Sequence, residues 1–192
     1  MRRLIAPALS LLAGLAWVCA VAVPAGRAYE ARFVPWKDVK TPPLALRDLA
    51  GRRHALVDYR GKVVLVNFWA TWCEPCREEM PSMQRLKERF AGLPFAVLAV
   101  NYGEADTRAS EFLKRSSLDL TVLLDPSQDA SRAWRVRVLP ASFLVGPDGR
   151  IRYAVVGEYD WTQDGARKAI FSLLPPGGVP AQPRAGLPAA YQ

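Results

Sequence analysis

Cysteine and histidine are scarce in this chain, with three of the first and one of the second in 192 residues. Structural zinc takes about four ligands, and with Cys19 inside an apolar N-terminal run only Cys73, Cys76 and His54 remain, so a closed site would need carboxylates. Long runs of like charge are missing too. The formal charge is +8, yet setting residues 1–28 aside removes Arg2, Arg3 and Arg27 and no acid, leaving 23 Lys and Arg against 18 Asp and Glu. Basic residues interleave with acids, as in Arg85-Leu86-Lys87-Glu88-Arg89, which reads as a solvated helix face and argues against a nucleic-acid partner. No internal repeat is present. What the chain does have is apolar material, 51% of its residues, enough to offset the entropy of folding one domain.

Residues 1–28 read as an export signal. Arg2-Arg3 precede an uncharged stretch from Leu4 to Val23, relieved only by Pro7, Ser10 and Gly14. Ala25-Gly26-Arg27-Ala28 supplies small residues before a cut after Ala28, while the apolar run also reaches the roughly 20 residues that span a bilayer, so cleavage and retention as a membrane anchor both stand open. Either outcome sends Tyr29 onward across the membrane, by the positive-inside rule. That places the folded part outside the cytoplasm, in the periplasm of a two-membrane cell. Cys19 follows Trp17-Val18, without the small residue expected ahead of a lipid-modified cysteine, and reads as inert.

Residues 29–174 carry the pattern of one domain. A proline-punctuated lead-in runs to Pro43, and Leu44-Ala45-Leu46 then alternates with charge before a turn at Gly51-Arg52, the signature of a hairpin-like N-terminal extension. Lys62 to Ala70 is a continuous apolar run rich in β-branched and aromatic residues, which fits a strand covered on both faces. Helical spacing follows from Cys76 to Phe90, with Pro81 expected to kink it. Strands are predicted over Phe95 to Val100 and Thr121 to Leu124, and helices over Ala105 to Ser116 and Ser127 to Trp134. Ala141 to Val145, the turn Gly146-Pro147-Asp148-Gly149 and Ile151 to Val156 form a hairpin, and Trp161 to Leu174 closes the domain as a helix. The expected fold class is α/β, a mixed central sheet flanked by helices. Residues 175–192, rich in Pro and Gly, read as a tail that builds no packed element.

Cys73 and Cys76 form a Cys-X-X-Cys, which serves either as a redox dithiol or as half of a metal site. Spacing alone leaves both open. Position favours redox, because the pair falls where a buried strand ends and a helix begins, and the unsatisfied N–H groups of a helix N-terminus stabilise a thiolate. Cys73 is then the nucleophile that attacks a substrate disulfide, and Cys76, one turn further in, resolves the mixed disulfide. Pro75 sets a backbone angle suited to the first helical turn, and Glu74 brings a negative charge near the thiolate.

The run from Gly61 through Val63-Val64-Leu65-Val66-Asn67-Phe68-Trp69-Ala70-Thr71-Trp72-Cys73-Glu74-Pro75-Cys76 to Glu78-Glu79-Met80-Pro81 resembles the TlpA/ResA-like oxidoreductases of bacterial envelopes, which have the thioredoxin fold. Val138-Leu139-Pro140-Ala141-Ser142-Phe143 and Pro147-Asp148-Gly149 extend the likeness, which covers about residues 44–174. The resemblance implies a redox-active disulfide of Cys73 with Cys76, a cis bond before Pro140, a Leu139 backbone offered to an incoming substrate strand, and Trp72 flanking the exposed sulfur. It also implies an acid at Glu79 that relays the proton of Cys76, for which the residue pattern alone leaves an exposed, ion-paired glutamate equally open. No cofactor is implied. Implied partners are proteins carrying disulfides, such as apocytochrome c or oxidase-assembly factors, and a membrane thiol reductant of the DsbD or CcdA kind. Thioredoxins themselves keep an aspartate where this chain has Asn67, and Ala141-Ser142 replaces a threonine-rich pair.

Three other functions compete for the same residues. Peroxiredoxins place threonine in Pro-X-X-X-Thr-X-X-Cys, whereas Thr71 is one residue too close to Cys73 and the proline is missing. Two soft thiolates also suit Cu(I), as in a copper-site assembly protein, but related copper carriers add a distal histidine, and His54 reads as a surface residue of an edge loop. A binding module with a static disulfide is the non-enzymatic alternative.

Overall fold

A computed structural model describes residues 32–38 and 40–176. Residues 1–28, expected to be an export signal, lie outside the described residues, and so does the Pro/Gly-rich tail past its first two positions. No helix among the described residues is long and apolar enough to cross a membrane.

The longest apolar run forms β4 (Val63–Trp69), and every residue in it is buried. Alternation along it divides the core in two. Val63, Leu65 and Trp69 face one layer with Met80, Met83, Leu86 and Phe90, while Val64, Val66 and Phe68 face another with Trp134 and Phe143. Two parallel neighbours follow on one side, β5 (Phe95–Tyr102) and then β6 (Thr121–Asp125). On the other side β7 (Ala141–Val145) runs antiparallel to β4 and pairs with β8 (Ile151–Val156). The hairpin of β2 (Ala45–Asp48) and β3 (Arg53–Ala55) adds to the free edge of β6. With β1 (Val34–Pro35), the sheet has eight strands among the described residues, in the order β1-β8-β7-β4-β5-β6-β2-β3.

Among the described residues three α-helices connect strands, α1 (Glu74–Arg89), α2 (Asp106–Ser116) and α3 (Asp129–Ala133), and a fourth, α4 (Asp164–Leu173), follows β8. Residues of α1, α2 and α4 pack in the layer of Trp69, and Ala130 of α3 packs in the layer of Phe68. The expected mixed sheet flanked by helices is therefore present, and so is the N-terminal hairpin.

Several boundaries differ from expectation for local reasons. α3 starts two residues late because Gln128 takes a left-handed backbone (φ 61°). Trp161 precedes α4 instead of opening it, and is buried against Phe33 and Tyr159 with ring centroids 5.9 and 5.1 Å away. α1 continues through Pro81, whose ring removes one N–H from the ladder. β1 falls in the stretch expected only as an extended lead-in. It pairs Val34 with Ala154 and Pro35 with Tyr153 at the sheet edge, where a proline is tolerated.

His54 departs from its reading as a surface residue. It sits on β3, half-buried, with Nδ1 2.7 Å from the Tyr59 hydroxyl and Nε2 3.0 Å from Asp48 Oδ2. Asp48 Oδ1 also accepts from the backbone N–H groups of Ala50 and Arg52, each at 2.9 Å. The hairpin is pinned from inside, and its histidine is taken up by that network.

Candidate active site

β4 delivers the chain to the site. Beyond Trp69 a tight turn closes with the Cys73 N–H donating to the Ala70 carbonyl at 3.2 Å, and Cys73 then caps α1 with an extended backbone (φ −87°, ψ 102°). Its sulfur accepts from the Cys76 N–H at 3.3 Å. The two sulfurs are joined in a disulfide, with the Cα atoms 5.3 Å apart. Pro75 lies in the first turn of α1, where its missing N–H costs nothing. Cys73 is 6% exposed and Cys76 fully buried, the asymmetry expected of an attacking and a resolving thiol.

Pro140 directly precedes β7. The Leu139-Pro140 bond is cis, and β7 begins at the next residue with Ala141 opposite Phe68. One step further along that antiparallel register, Pro140 stands opposite Trp69, at the end of β4 that leads to Cys73. Its carbonyl accepts from the Gly157 N–H at 2.9 Å. Around this edge Trp72 is 62% exposed, with Val138 and Val156 also open to solvent.

Glu79 settles between its two readings as a buried acid, 2% exposed, one turn beyond Cys76 on α1. Asn67 Nδ2 donates to Oε1 at 2.6 Å, and the Tyr159 N–H donates to Oε2 at 3.0 Å. Burial pushes its carboxyl up from 4.5 to about 8, and those two donors only partly oppose the shift. The Trp161 indole N–H adds a further favourable interaction, outside strict hydrogen-bond geometry. Arg77 and Lys87 do not pair with it, and Lys87 instead meets Asp119 at 2.8 Å. Asn67 also donates to Ser142 Oγ at 2.9 Å, so the residue that replaces the thioredoxin aspartate ties β4 to both α1 and β7.

Besides Glu79, the buried acids Asp48, Asp125 and Glu104 escaped the reading of the sequence, and Glu104 is the one beside the turn before Cys73. Glu104, in the loop after β5, accepts hydrogen bonds from Thr71 and Asn101. Its only signal was an acid placed directly after a buried strand, which many exposed loop residues share. Among the described residues, no group of three His, Cys, Asp or Glu side chains converges as a metal site.

With this geometry in hand, comparison with known proteins points one way. Residues 38–154 match the AhpC/TSA family. Thiol-disulfide oxidoreductase ResA of Geobacillus thermodenitrificans is 36% identical over 134 residues, 70% of this chain and 76% of that protein. A crystal structure assigned to a thiol:disulfide interchange protein DsbE of Chlorobium tepidum superposes with a TM-score of 0.67 at 31% identity, over 74% of this chain and 100% of that one. The solution structure assigned to a thioredoxin of Neisseria meningitidis gives a TM-score of 0.62 at 31% identity, over 69% and 87% of the two chains.

Proposed function

The chain belongs to the ResA-like thiol-disulfide oxidoreductases of the AhpC/TSA family, and from that premise we propose that it reduces disulfides of envelope proteins outside the cytoplasm. In the reduced enzyme the Cys73 thiolate attacks one sulfur of a substrate disulfide, forming a mixed disulfide and expelling the other substrate sulfur as a thiolate. Cys76 then loses its proton and attacks Cys73 Sγ, which releases the second substrate sulfur and closes the Cys73–Cys76 disulfide. Two electrons pass to the substrate. Trp72, Leu139 and Pro140 form the surface on which the substrate segment lies.

The observation that carries this reading is the buried carboxyl one turn beyond a buried, disulfide-bonded Cys76. With its pKa raised to about 8, Glu79 holds a proton at neutral pH when the disulfide is closed, and this is the state it reaches by accepting the Cys76 proton. On regeneration it returns that proton to Cys76 as the sulfur leaves. A reductase in an oxidising compartment needs electrons resupplied, so a membrane thiol reductant of the DsbD or CcdA kind completes the cycle. Apocytochrome c and oxidase-assembly factors fit as substrates because the resemblance of the motif run is to envelope proteins. A peroxide-reducing reading finds no support around Cys73, since the Thr71 hydroxyl is engaged by Glu104.

A Cys76→Ser variant lacks the resolving sulfur and should hold its substrates on Cys73 as mixed disulfides. Recovery of such adducts from envelope fractions, with a cysteine-bearing apocytochrome or oxidase factor among them, supports the reading. An empty trap whose Cys73 still alkylates readily would point to a static binding module.

A further inference from the structure

Glu104 plays no part in the proton path of Glu79, yet it is largely buried and two of its three hydrogen bonds go to Thr71, on the approach to Cys73. Oε2 accepts from the Thr71 backbone N–H at 2.7 Å and from Asn101 Nδ2 at 2.8 Å, and Oε1 accepts from the Thr71 hydroxyl at 2.5 Å. The topology makes this meeting possible. β4 and β5 are parallel with Trp69 opposite Asn101, so the loops that follow them leave the sheet at the same edge.

Thr71 and Trp72 are the two central residues of the turn closed by Cys73 N–H and Ala70 O. Trp72 points its side chain to solvent and gives the turn little packing. Thr71 is held at both its backbone and its hydroxyl by one carboxylate, which is itself oriented from β5 by Asn101. A carboxylate only accepts, so it matches all three donors as they stand, whereas a carboxamide could keep the two N–H donors only by turning its NH2 to the Thr71 hydroxyl and reversing that hydroxyl from donor to acceptor.

We propose that Glu104 is a positioning residue for thiol exchange: by gripping Thr71 at two points it sets the turn that presents Trp72 and Cys73 to a substrate disulfide. This rests on Cys73 being the attacking thiol. It gives the loop after β5 a role in the reaction without contact with the reacting sulfurs.

The test compares the reduced full-length protein with its Glu104→Gln and Thr71→Val variants. Cys73 alkylation by iodoacetamide is followed from about pH 5 to about pH 10, alongside equilibrium with glutathione and the rate of reduction of a protein disulfide. Glu104→Gln should slow protein-disulfide reduction about tenfold, as a displaced nucleophile does, and should move the midpoint of the alkylation profile. Thr71→Val removes the hydroxyl donor but keeps the carboxylate, and should shift both readouts the same way by less. The double variant should be no worse than Glu104→Gln, because both changes break one clamp. Thermal midpoints that fall while the alkylation profile and glutathione equilibrium coincide with the parent would overturn the inference and leave Glu104 a fold anchor. If Glu104→Gln does not fold, Thr71→Val decides alone, and an unchanged Cys73 profile in it rejects the idea. Failure of the parent protein to exchange disulfides would sink the functional reading instead, while the variants' alkylation profiles would still judge the turn.

Discussion

Asn67 holds Glu79 at 2.6 Å across the interface between β4 and α1, and its own Oδ1 has no hydrogen-bond partner. The amide nitrogen serves Glu79 and Ser142 together, which fixes the amide's orientation and leaves the oxygen unused. A protonated Glu79 has an O–H to donate, and the Asn67 amide can receive it on Oδ1 by turning over, with the Ser142 hydroxyl then donating to the same oxygen. The pair is therefore suited to a carboxyl that changes its proton during turnover.

Stability should record that proton. The folded-state pKa of Glu79 is raised from 4.5 to about 8, so the native protein binds a proton that the unfolded chain releases between those values. The stabilisation is fully present below about pH 4.5 and is lost as pH rises through about 8. Glu79→Gln should flatten this fall, making the oxidised variant more stable than the parent above pH 8 by a few kcal/mol, since each tenfold change in proton affinity is worth about 1.4 kcal/mol. Urea midpoints at several pH values measure it. Two parallel curves would mean that Glu79 titrates normally. In the reaction, the same variant should reduce disulfides at least about tenfold more slowly, since proton transfer of this kind contributes that much or more.

Asn67→Asp should steepen the pH dependence. A second carboxyl at this distance cannot ionise freely beside an ionised Glu79, so the folded pair holds its last proton to higher pH than Glu79 alone does in the parent. The gap to the parent should widen by about 1.4 kcal/mol per pH unit between about pH 8 and about pH 10, on top of the loss of two buried donors. Urea titration of both proteins at the two ends of that range reads the difference. A constant gap would show that the two carboxyls do not interact.

How far the sequence foretold this site depends on how local each feature is. β4 was legible because a strand buried on both faces must be apolar throughout, and the Cys73-Glu74-Pro75-Cys76 start of α1 was legible because capping and proline chemistry act within four residues. Glu79 was not. Its burial comes from Tyr159 and Trp161, some 80 residues on, and a helical glutamate facing solvent would look identical. Glu104 meets Thr71 across 33 residues, and His54 meets Asp48 through a hairpin fold that alternation suggests without orienting its side chains. β1 escaped because two residues, one of them Pro35, carry no periodicity.

Trp72→Ala separates substrate docking from chemistry. The indole is 62% exposed, so its loss should change stability by no more than about 0.5 kcal/mol. Exchange with glutathione, a small reactant, should stay within about twofold of the parent, whereas reduction of a protein disulfide should lose roughly tenfold through a higher KM, as removal of uniform binding does. Equal losses with both reactants would assign Trp72 to the setting of the thiol instead.

Asp48→Asn should loosen the N-terminal hairpin without touching the dithiol. The Asp48 carboxyl is lowered to about 2, chiefly by its bond from His54, with the Arg52 backbone N–H, the Arg52 guanidinium and the Ala50 N–H adding to the effect against the opposing cost of burial. A depressed carboxyl stabilises the fold above its unfolded value of 3.8, and the benefit disappears as pH falls through about 2. The variant should therefore be less stable than the parent near pH 7 by about 1–3 kcal/mol, the cost of breaking charge-assisted bonds, and the difference should shrink between about pH 4 and about pH 2. Because β2 pairs with β6 while the dithiol lies beyond β4, glutathione equilibrium in the variant should match the parent. Amide exchange should accelerate at the β2 and β3 ladder and not in β4. Faster exchange spread evenly through the sheet would mean that the hairpin and the central strands open as one unit.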